Sequence, residues 1–306
     1  MHVVIAFAVP GTEPGLKAAR ALELPGLWHR LGSLAAGASD SASDSGDEWS
    51  LSPPHERVLA RAFGWAGGDG QLPFAAQAAQ ADGIEVDGRA WALVTPTHWH
   101  LGTEQVSLVD PTALVLDDTT SRTLLDAVAP LFTAEGFACT WGARERWYVA
   151  HESLAGLATA SLDRVIGRNV DRWLGAHPAA RRVRRLQAEA QMLLHEHPVN
   201  VERARLGLLP VNSFWLSGCG VAQPARGEAV LEHRLRAPAL AEDTAAWAKA
   251  WAVVDGGLAD PVVSTITLCG ERGSATFGPA RRGFGGPAFW QRRRGAAVWA
   301  QLLEVL

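Results

Sequence analysis

The densest polar chemistry in the sequence lies between His195 and Gly220, HEHPVNVERARLGLLPVNSFWLSGCG. Two Pro-x-Asn turns, at Pro198–Asn200 and Pro210–Asn212, flank a short helical stretch that carries Arg203 and Arg205 and stops at Gly207. His197, Asn200, Arg203 and Asn212 thus sit near turns, where a guanidinium and amide tips could converge on an anion. An ordinary reading stays open beside it: Asn200 can cap the helix that follows, and Asn212 can satisfy loop backbone. A second pattern is Thr97-His98-Trp99-His100. In a strand this spacing turns His98 and His100 to one face, where they could hold a metal with Glu104 as third ligand. They could equally be polar positions on the outer face of an edge strand.

Other patterns are weaker. The run Gly64–Gly70, GWAGGDG, lacks the lysine and spacing of a phosphate loop and reads as a turn. Arginines cluster at Arg181, Arg182, Arg184 and Arg185, at Arg281–Arg282 and at Arg292–Arg294. Each cluster is a solvated face or a surface for a phosphate or carboxylate. Cys139, Cys219 and Cys269 have no CxxC spacing, which argues against a disulfide framework and a Cys-rich zinc site.

The composition narrows the function classes. The chain has 306 residues, a net charge of −4 and 48% hydrophobic residues, enough for a sizeable globular core. That charge offers no general attraction for nucleic acid or anionic lipid, and no DNA-binding module is recognisable. No apolar run reaches the ~18–20 residues of a membrane span. The opening MHVVIAFAVPGTEPG lacks a basic leader and reads as a buried strand, so a reducing cytoplasm is expected. Thirteen tryptophans against one tyrosine, Tyr148, read as core filler with an N–H to satisfy.

The elements that must position these residues alternate. A strand is expected at His2–Val9 and an acidic mobile loop at 37–48. Helices are expected at Pro54–Phe63 and Leu72–Ala81. Strands follow at Ala90–Val94, His98–Leu101 and Val106–Val109. Thr119–Glu135 has helical spacing, with Leu124, Leu125, Val128 and Leu131 on one face and Gly136 as its stop. Phe137–Trp141 and Arg146–Ala150 read as a hairpin. Asp163–Leu174 and Ala179–Glu196 read as helices and Ser213–Ser217 as a strand. Residues 219–240 read as a connection, Thr244–Val254 as a helix, Ser264–Leu268 as a strand and Gly295–Val305 as a closing helix. Alternation of this kind predicts an α/β fold, a mixed core sheet flanked by helices.

The run HPVNVERARLGLLPVN, followed by an apolar strand and Gly218-Cys219-Gly220, resembles the cofactor-independent phosphoglycerate mutases, particularly their archaeal-type branch. RAWALVTPTHWHLGTEQVSL (89–108), ARERWYV (143–149) and ASLDRVIGRNVDRWL (160–174) stand in compatible order. The wording LPVNSFWLSG also resembles a bacterial group named RpfE-type regulatory proteins. The resemblance covers residues 89–220 well and the ends weakly. It implies an alkaline-phosphatase-like layered core, built from 1–88 and 221–306, with an inserted smaller α/β lobe at 89–220. It also implies that the His2–Val9 strand lies beside the Ser264–Leu268 strand.

The superfamily transfers phosphoryl groups at two divalent metals with a Ser or Thr nucleophile. Its first strand ends in an acidic metal ligand; here that run is Val9-Pro10-Gly11-Thr12, with Glu13 the nearest carboxylate. Its late Asp-His-Gly corresponds best to TLCGERG (267–273), where Glu271 and Arg272 stand near the two ligand positions. Arginine stays protonated and cannot ligate a metal. No histidine follows His233. The resemblance therefore implies a degenerate mutase scaffold with no bound metal, acting as a regulatory or binding protein toward a protein partner or a small anionic ligand. Its cleft between the lobes would be lined by His197, Asn200, Arg203 and Asn212, with Asp163 and Arg168 nearby. The alternative is an active metal-dependent phosphomutase or phosphatase holding manganese or zinc through an altered set. Thr12 would be its nucleophile, with Glu13, Asp255, Asp260 and Glu271 as candidate ligands.

Overall fold

The computed structural model describes residues 1–36, 46–103, 105–175, 177–258, 260–279 and 288–306. Most of the expected acidic loop, Glu104 and the Arg281–Arg282 pair lie outside them. The N-terminal segment supplies β1 (His2–Ile5), α1 (Glu13–Ala21), α2 (Pro25–Ser33), β2 (Ala35–Ala36) and α3 (Pro54–Phe63). The middle of the chain opens with α4 (Phe74–Ala81), β3 (Ala90–Thr97), β4 (Trp99–Leu101), β5 (Val106–Leu108) and α5 (Asp118–Ala134). It continues through β6 (Ala138–Ala143), β7 (Arg146–Ala150), α6 (Leu162–Val165), α7 (Pro178–His195), α8 (Pro198–Arg205) and β8 (Ser213–Val221). The last part carries β9 (Val230–Glu232), α9 (Arg236–Leu240), α10 (Thr244–Gly257), β10 (Thr265–Cys269), β11 (Ser274–Gly278) and α11 (Ala288–Leu302).

The chain divides into two compact units: Met1–Trp65 with Ala225–Leu306, called the split unit, and Ala66–Pro224, the middle unit. Both are α/β. The first boundary falls at residues 65/66 rather than 88/89, because α4 packs on the middle unit's sheet. Its Ala75, Ala76 and Ala79 are buried against Trp91 and Tyr148.

The split unit holds a mixed sheet in the order β2-β11-β10-β1-β9. β1 runs parallel to both neighbours, with His2 opposite Thr265 and Ile5 opposite Leu268 on one side, and Val3 opposite Val230 on the other. The expected pairing of the first strand with the 264–268 strand is thus present. β1 stops at Ile5 rather than Val9 because Phe7 adopts a left-handed backbone, φ 55°, which a non-glycine residue seldom holds. Ala8 still donates its N–H to the Cys269 carbonyl (2.8 Å) and keeps the segment beside β10. The core below comprises Ile5, Leu27, Ile266 and Leu268 with Trp247, Trp251 and Trp299. The three indole N–H groups bond to the Phe7 (3.0 Å), Ala8 (3.2 Å) and Ala19 (3.3 Å) carbonyls, which removes the cost of burying them.

The middle unit holds an antiparallel sheet in the order β6-β7-β3-β8 and a separate β4–β5 ribbon. α5 begins at Asp117, whose carboxylate accepts the Thr120 N–H (2.8 Å), and buries Leu124, Leu125, Val128 and Phe132. Gly136, at φ 83°, follows it. α7 buries Ala180, Val183, Leu186, Gln187, Ala190 and Leu194 along one face. The expected helix at Asp163–Leu174 is broken into α6 and a 3-10 turn at Val170–Trp173. Gly167 lies between them at φ 74°, outside helical space. The expected connection at 219–240 contains β9 and α9 and opens with the end of β8.

Candidate functional site

In open α/β sheets ligands bind outside the carboxyl ends of parallel strands where the connections diverge. In the split unit that place is the carboxyl end of β1, flanked by β9 and β10. The chain leaves β1 through Phe7, Ala8, Val9, Pro10 and Gly11, and leaves β10 through Gly270, Glu271 and Arg272. The two exits adjoin: a Cβ built on Gly11 would lie 3.3 Å from the Glu271 Cγ. Thr12 and Glu271 are therefore brought to one region of the sheet edge.

The groups there are committed in particular ways. The Thr12 hydroxyl accepts the Gly15 N–H (3.2 Å) as the N-cap of α1. Glu13 is exposed in the first turn of that helix, where a carboxylate favours the macrodipole. The Arg272 Nε lies 3.4 Å from the Glu48 carboxylate. The start of α3 adds residues that the sequence did not single out. The His55 ring is buried, with its centroid 5.4 Å from that of Phe7. Arg57 donates Nη2 to the Arg272 carbonyl (3.0 Å) and Nη1 to the Ser52 carbonyl. The signal available was Pro53-Pro54 followed by His55 and Arg57, polar residues opening a helix whose later turns are apolar.

Asp255 and Asp260 are not at this edge. Asp255 is buried, and its two oxygens accept the Gly26 (3.0 Å) and Leu27 (2.7 Å) N–H groups. α2 begins after Leu24, which makes no side-chain cap, so α10 supplies the cap from across the sequence. The side chain is a helix cap and not a free ligand. Asp255→Ala should cost about 2–3 kcal/mol in urea unfolding, and Asp255→Asn about half of that, because one acceptor oxygen remains. Asp260 accepts the Val262 N–H (2.9 Å) in a turn.

Residues from the His195–Gly220 segment do come together, but on the chain's own backbone. Asn200 is buried, donates to the Leu194 (2.8 Å) and Val211 (2.7 Å) carbonyls and accepts the Val211 N–H (2.9 Å). Arg203, also buried, donates to the Leu209 (2.9 Å) and Leu114 carbonyls. Burial pushes its pKa down, yet a guanidinium stays charged at neutral pH. Asn212 exchanges two bonds with Trp99, accepting its N–H (2.7 Å) and donating to its carbonyl (2.9 Å). The His197 Nδ1 accepts the Val199 N–H (3.3 Å) at the start of α8. In the structure these tips bond to main-chain groups, and they tie α8, its following loop and β4 into the middle unit. Asp163 and Arg168 are half-buried on the broken helix, with the Arg168 guanidinium 5.9 Å from the Trp173 ring centre.

The His98 and His100 rings lie 6.4 Å apart, and the His98 Nδ1 is 2.9 Å from the Pro210 carbonyl. Among the described residues no three His, Cys, Asp or Glu side chains gather closely enough to hold a metal ion. Along α7, Arg182 (3.3 Å) and Arg185 pair with Glu135, while Arg184 donates to the Leu174 (2.6 Å) and Gly175 (2.8 Å) carbonyls. Arg292–Arg294 are exposed on α11. Burial pushes the Cys139 thiol up to about 11 and the Cys219 thiol up to about 12, so neither is a ready thiolate. No helix among the described residues is long and apolar enough to cross a membrane.

No protein-family model and no curated protein matches this sequence. Among solved structures, similar chains include a cofactor-independent phosphoglycerate mutase from Thermoplasma acidophilum DSM 1728, with 14% identity, 99% of both chains covered and a TM-score of 0.36. A second is the PH0037 protein from Pyrococcus horikoshii, with 11% identity, 99% of this chain and 97% of that chain covered, and a TM-score of 0.43.

Proposed function

We propose that the chain is a catalytically degenerate, phosphoglycerate-mutase-like protein with an alkaline-phosphatase-like layered core, acting in the cytoplasm by binding a protein partner or a small anionic ligand. One observation carries this reading. Among the described residues where the parallel strands β1 and β10 end, the Thr12 hydroxyl is used as a helix cap, Arg272 is paired with Glu48, and Glu271 and the buried His55 belong to no group of three His, Cys, Asp or Glu close enough to share a metal. A two-metal phosphotransferase needs several carboxylate or imidazole ligands at that place, with an oxygen free to attack. Glu13 and Glu271 alone do not form such a set, since the other two carboxylates of the altered set are engaged elsewhere, Asp255 on α2 and Asp260 on the Val262 N–H. These residues do not fit two divalent metals, and they support no phosphoryl-transfer step. The same edge carries Arg57 and Arg272, whose guanidinium groups suit a carboxylate or phosphate.

The test is elemental mass spectrometry of the full-length protein after incubation with manganese and zinc and then desalting. It is run beside turnover assays on 3-phosphoglycerate and p-nitrophenyl phosphate. The expected result is substoichiometric metal and no turnover. One or two retained metal ions per chain, with hydrolysis or mutase activity that Glu271→Gln abolishes, would establish the active phosphotransferase instead.

A further inference from the structure

Arg272, one of the two guanidinium groups at the strand ends, already meets a carboxylate of the chain itself. It lies in the turn that joins β10 to β11, closed by the Gly270 N–H on the Gly273 carbonyl (3.0 Å). The segment 46–53, which leads into α3, lies against this turn. The Gly46 N–H (3.1 Å) and the Arg57 Nη2 (3.0 Å) both donate to the Arg272 carbonyl, and the Arg57 Nη1 donates to the Ser52 carbonyl. Glu48 then brings its carboxylate to 3.4 Å from the Arg272 Nε.

The main chain and the side chains of this contact differ in strength. Residues 47–50 form a turn of their own, in which Asp47 accepts the Trp49 N–H (3.0 Å) and the Ser50 hydroxyl (3.0 Å). The Ser50 oxygen accepts the Asp47 N–H in return (2.9 Å). The segment therefore presents Glu48 to the turn without needing the ion pair. The pair itself is longer than the ~2.7–2.9 Å of a charge-assisted hydrogen bond. Its side chains are 44% (Glu48) and 65% (Arg272) exposed, and exposed pairs of this kind hold weakly. An anion arriving from solution can take the guanidinium from Glu48 while the backbone bonds stay in place.

We propose that Glu48 is a built-in competitor: it pairs with Arg272 until the carboxylate or phosphate of a small anion displaces it, and so sets the affinity of the strand-end site. The proposal rests on the anionic-ligand reading of that site and adds the residue that regulates it. The probes are inorganic pyrophosphate and citrate, titrated calorimetrically into the full chain in low-salt buffer. Saturable binding of at least one is expected, tightened about two- to fivefold by Glu48→Gln and abolished by Arg272→Ala. Asp87→Asn is the charge control, because it takes the same charge from another exposed pair, Asp87–Arg89 (2.6 Å), in the middle unit. It should leave the affinity unchanged. Unaltered affinity in Glu48→Gln, or equal tightening by Asp87→Asn, would overturn the competitor while the loss in Arg272→Ala kept the anionic-ligand reading. Absence of binding in the wild type and in Glu48→Gln, or binding that survives Arg272→Ala, would overturn both.

Discussion

Gly295→Ala is expected to destabilise the protein by about 3 kcal/mol, with Tm falling roughly 6–12 °C at ~2–4 °C per kcal/mol for domains of this size. α11 crosses α2 with the backbones in direct approach. A Cβ built on Gly295 would collide with the Trp28 carbonyl, and one built on Gly32 would collide with the Gln291 carbonyl. Each glycine faces the other helix's main chain, and a helical main chain cannot turn aside as a flexible side chain can. The helices must therefore separate, which puts the cost at the upper end for overpacking. Separation also draws Trp299 away from the Ala19 carbonyl and from the Trp251 ring, which it meets edge-on at 5.7 Å. Urea unfolding followed by tryptophan fluorescence reads this cost. Gly256→Ala is the internal contrast. Gly256 lies inside α10 with open space where its Cβ would go, so the same substitution should stabilise by about 0.5–1 kcal/mol through backbone entropy alone. Equal losses at both positions would contradict the close helix crossing.

The elements that the sequence showed most plainly carry their own start and stop signals. α3 matches its expected range because Pro54 opens it and Gly64, at φ 71°, closes it. α5 and α7 follow from apolar spacing alone, which tertiary packing reinforces. α1 and α2 are nine residues each, too short for an apolar stripe to recur over several turns. α1 is started by the short-range cap of Thr12, and α2 by a carboxylate 229 residues away. β11 is legible only through its partner β10, since Ser274–Gly278 is five residues long with Phe277 as its single large apolar residue. The pairing of the two parallel strand ends could be anticipated, but which groups remained free there could not. Whether Asp255 is a ligand or a cap depends on what faces it. One signal was present: Trp247, Trp251 and Asp255 recur every four residues, which places the carboxylate on the buried face of α10. A buried carboxylate in that position requires donors, and the nearest unsatisfied ones are the first N–H groups of a neighbouring helix.

The same reasoning fixes the expected result for Arg203. Arg203→Ala should destabilise the middle unit by about 3 kcal/mol, through loss of packing by the buried stem and of donors to two carbonyls. The Leu209 and Leu114 carbonyls belong to segments on either side of α8 in the chain. One planar guanidinium spans them by presenting donors in fixed directions, which an ammonium cannot reproduce. Arg203→Lys should therefore recover less than half of the loss, although it keeps the charge. A ligand-binding arginine would behave in the opposite way: alanine would leave the urea midpoint unchanged, and lysine would partly restore binding to an anion. The two carbonyls decide between these outcomes. Both are main-chain acceptors of the folded chain, so the bonds are present before any ligand arrives and act on folding first. Asn200, one turn earlier on α8, does the same for the Leu194 and Val211 carbonyls. The PVN and LPVN turns are thus held by two side chains of one short helix, and the conspicuous spacing in the sequence records a folding constraint.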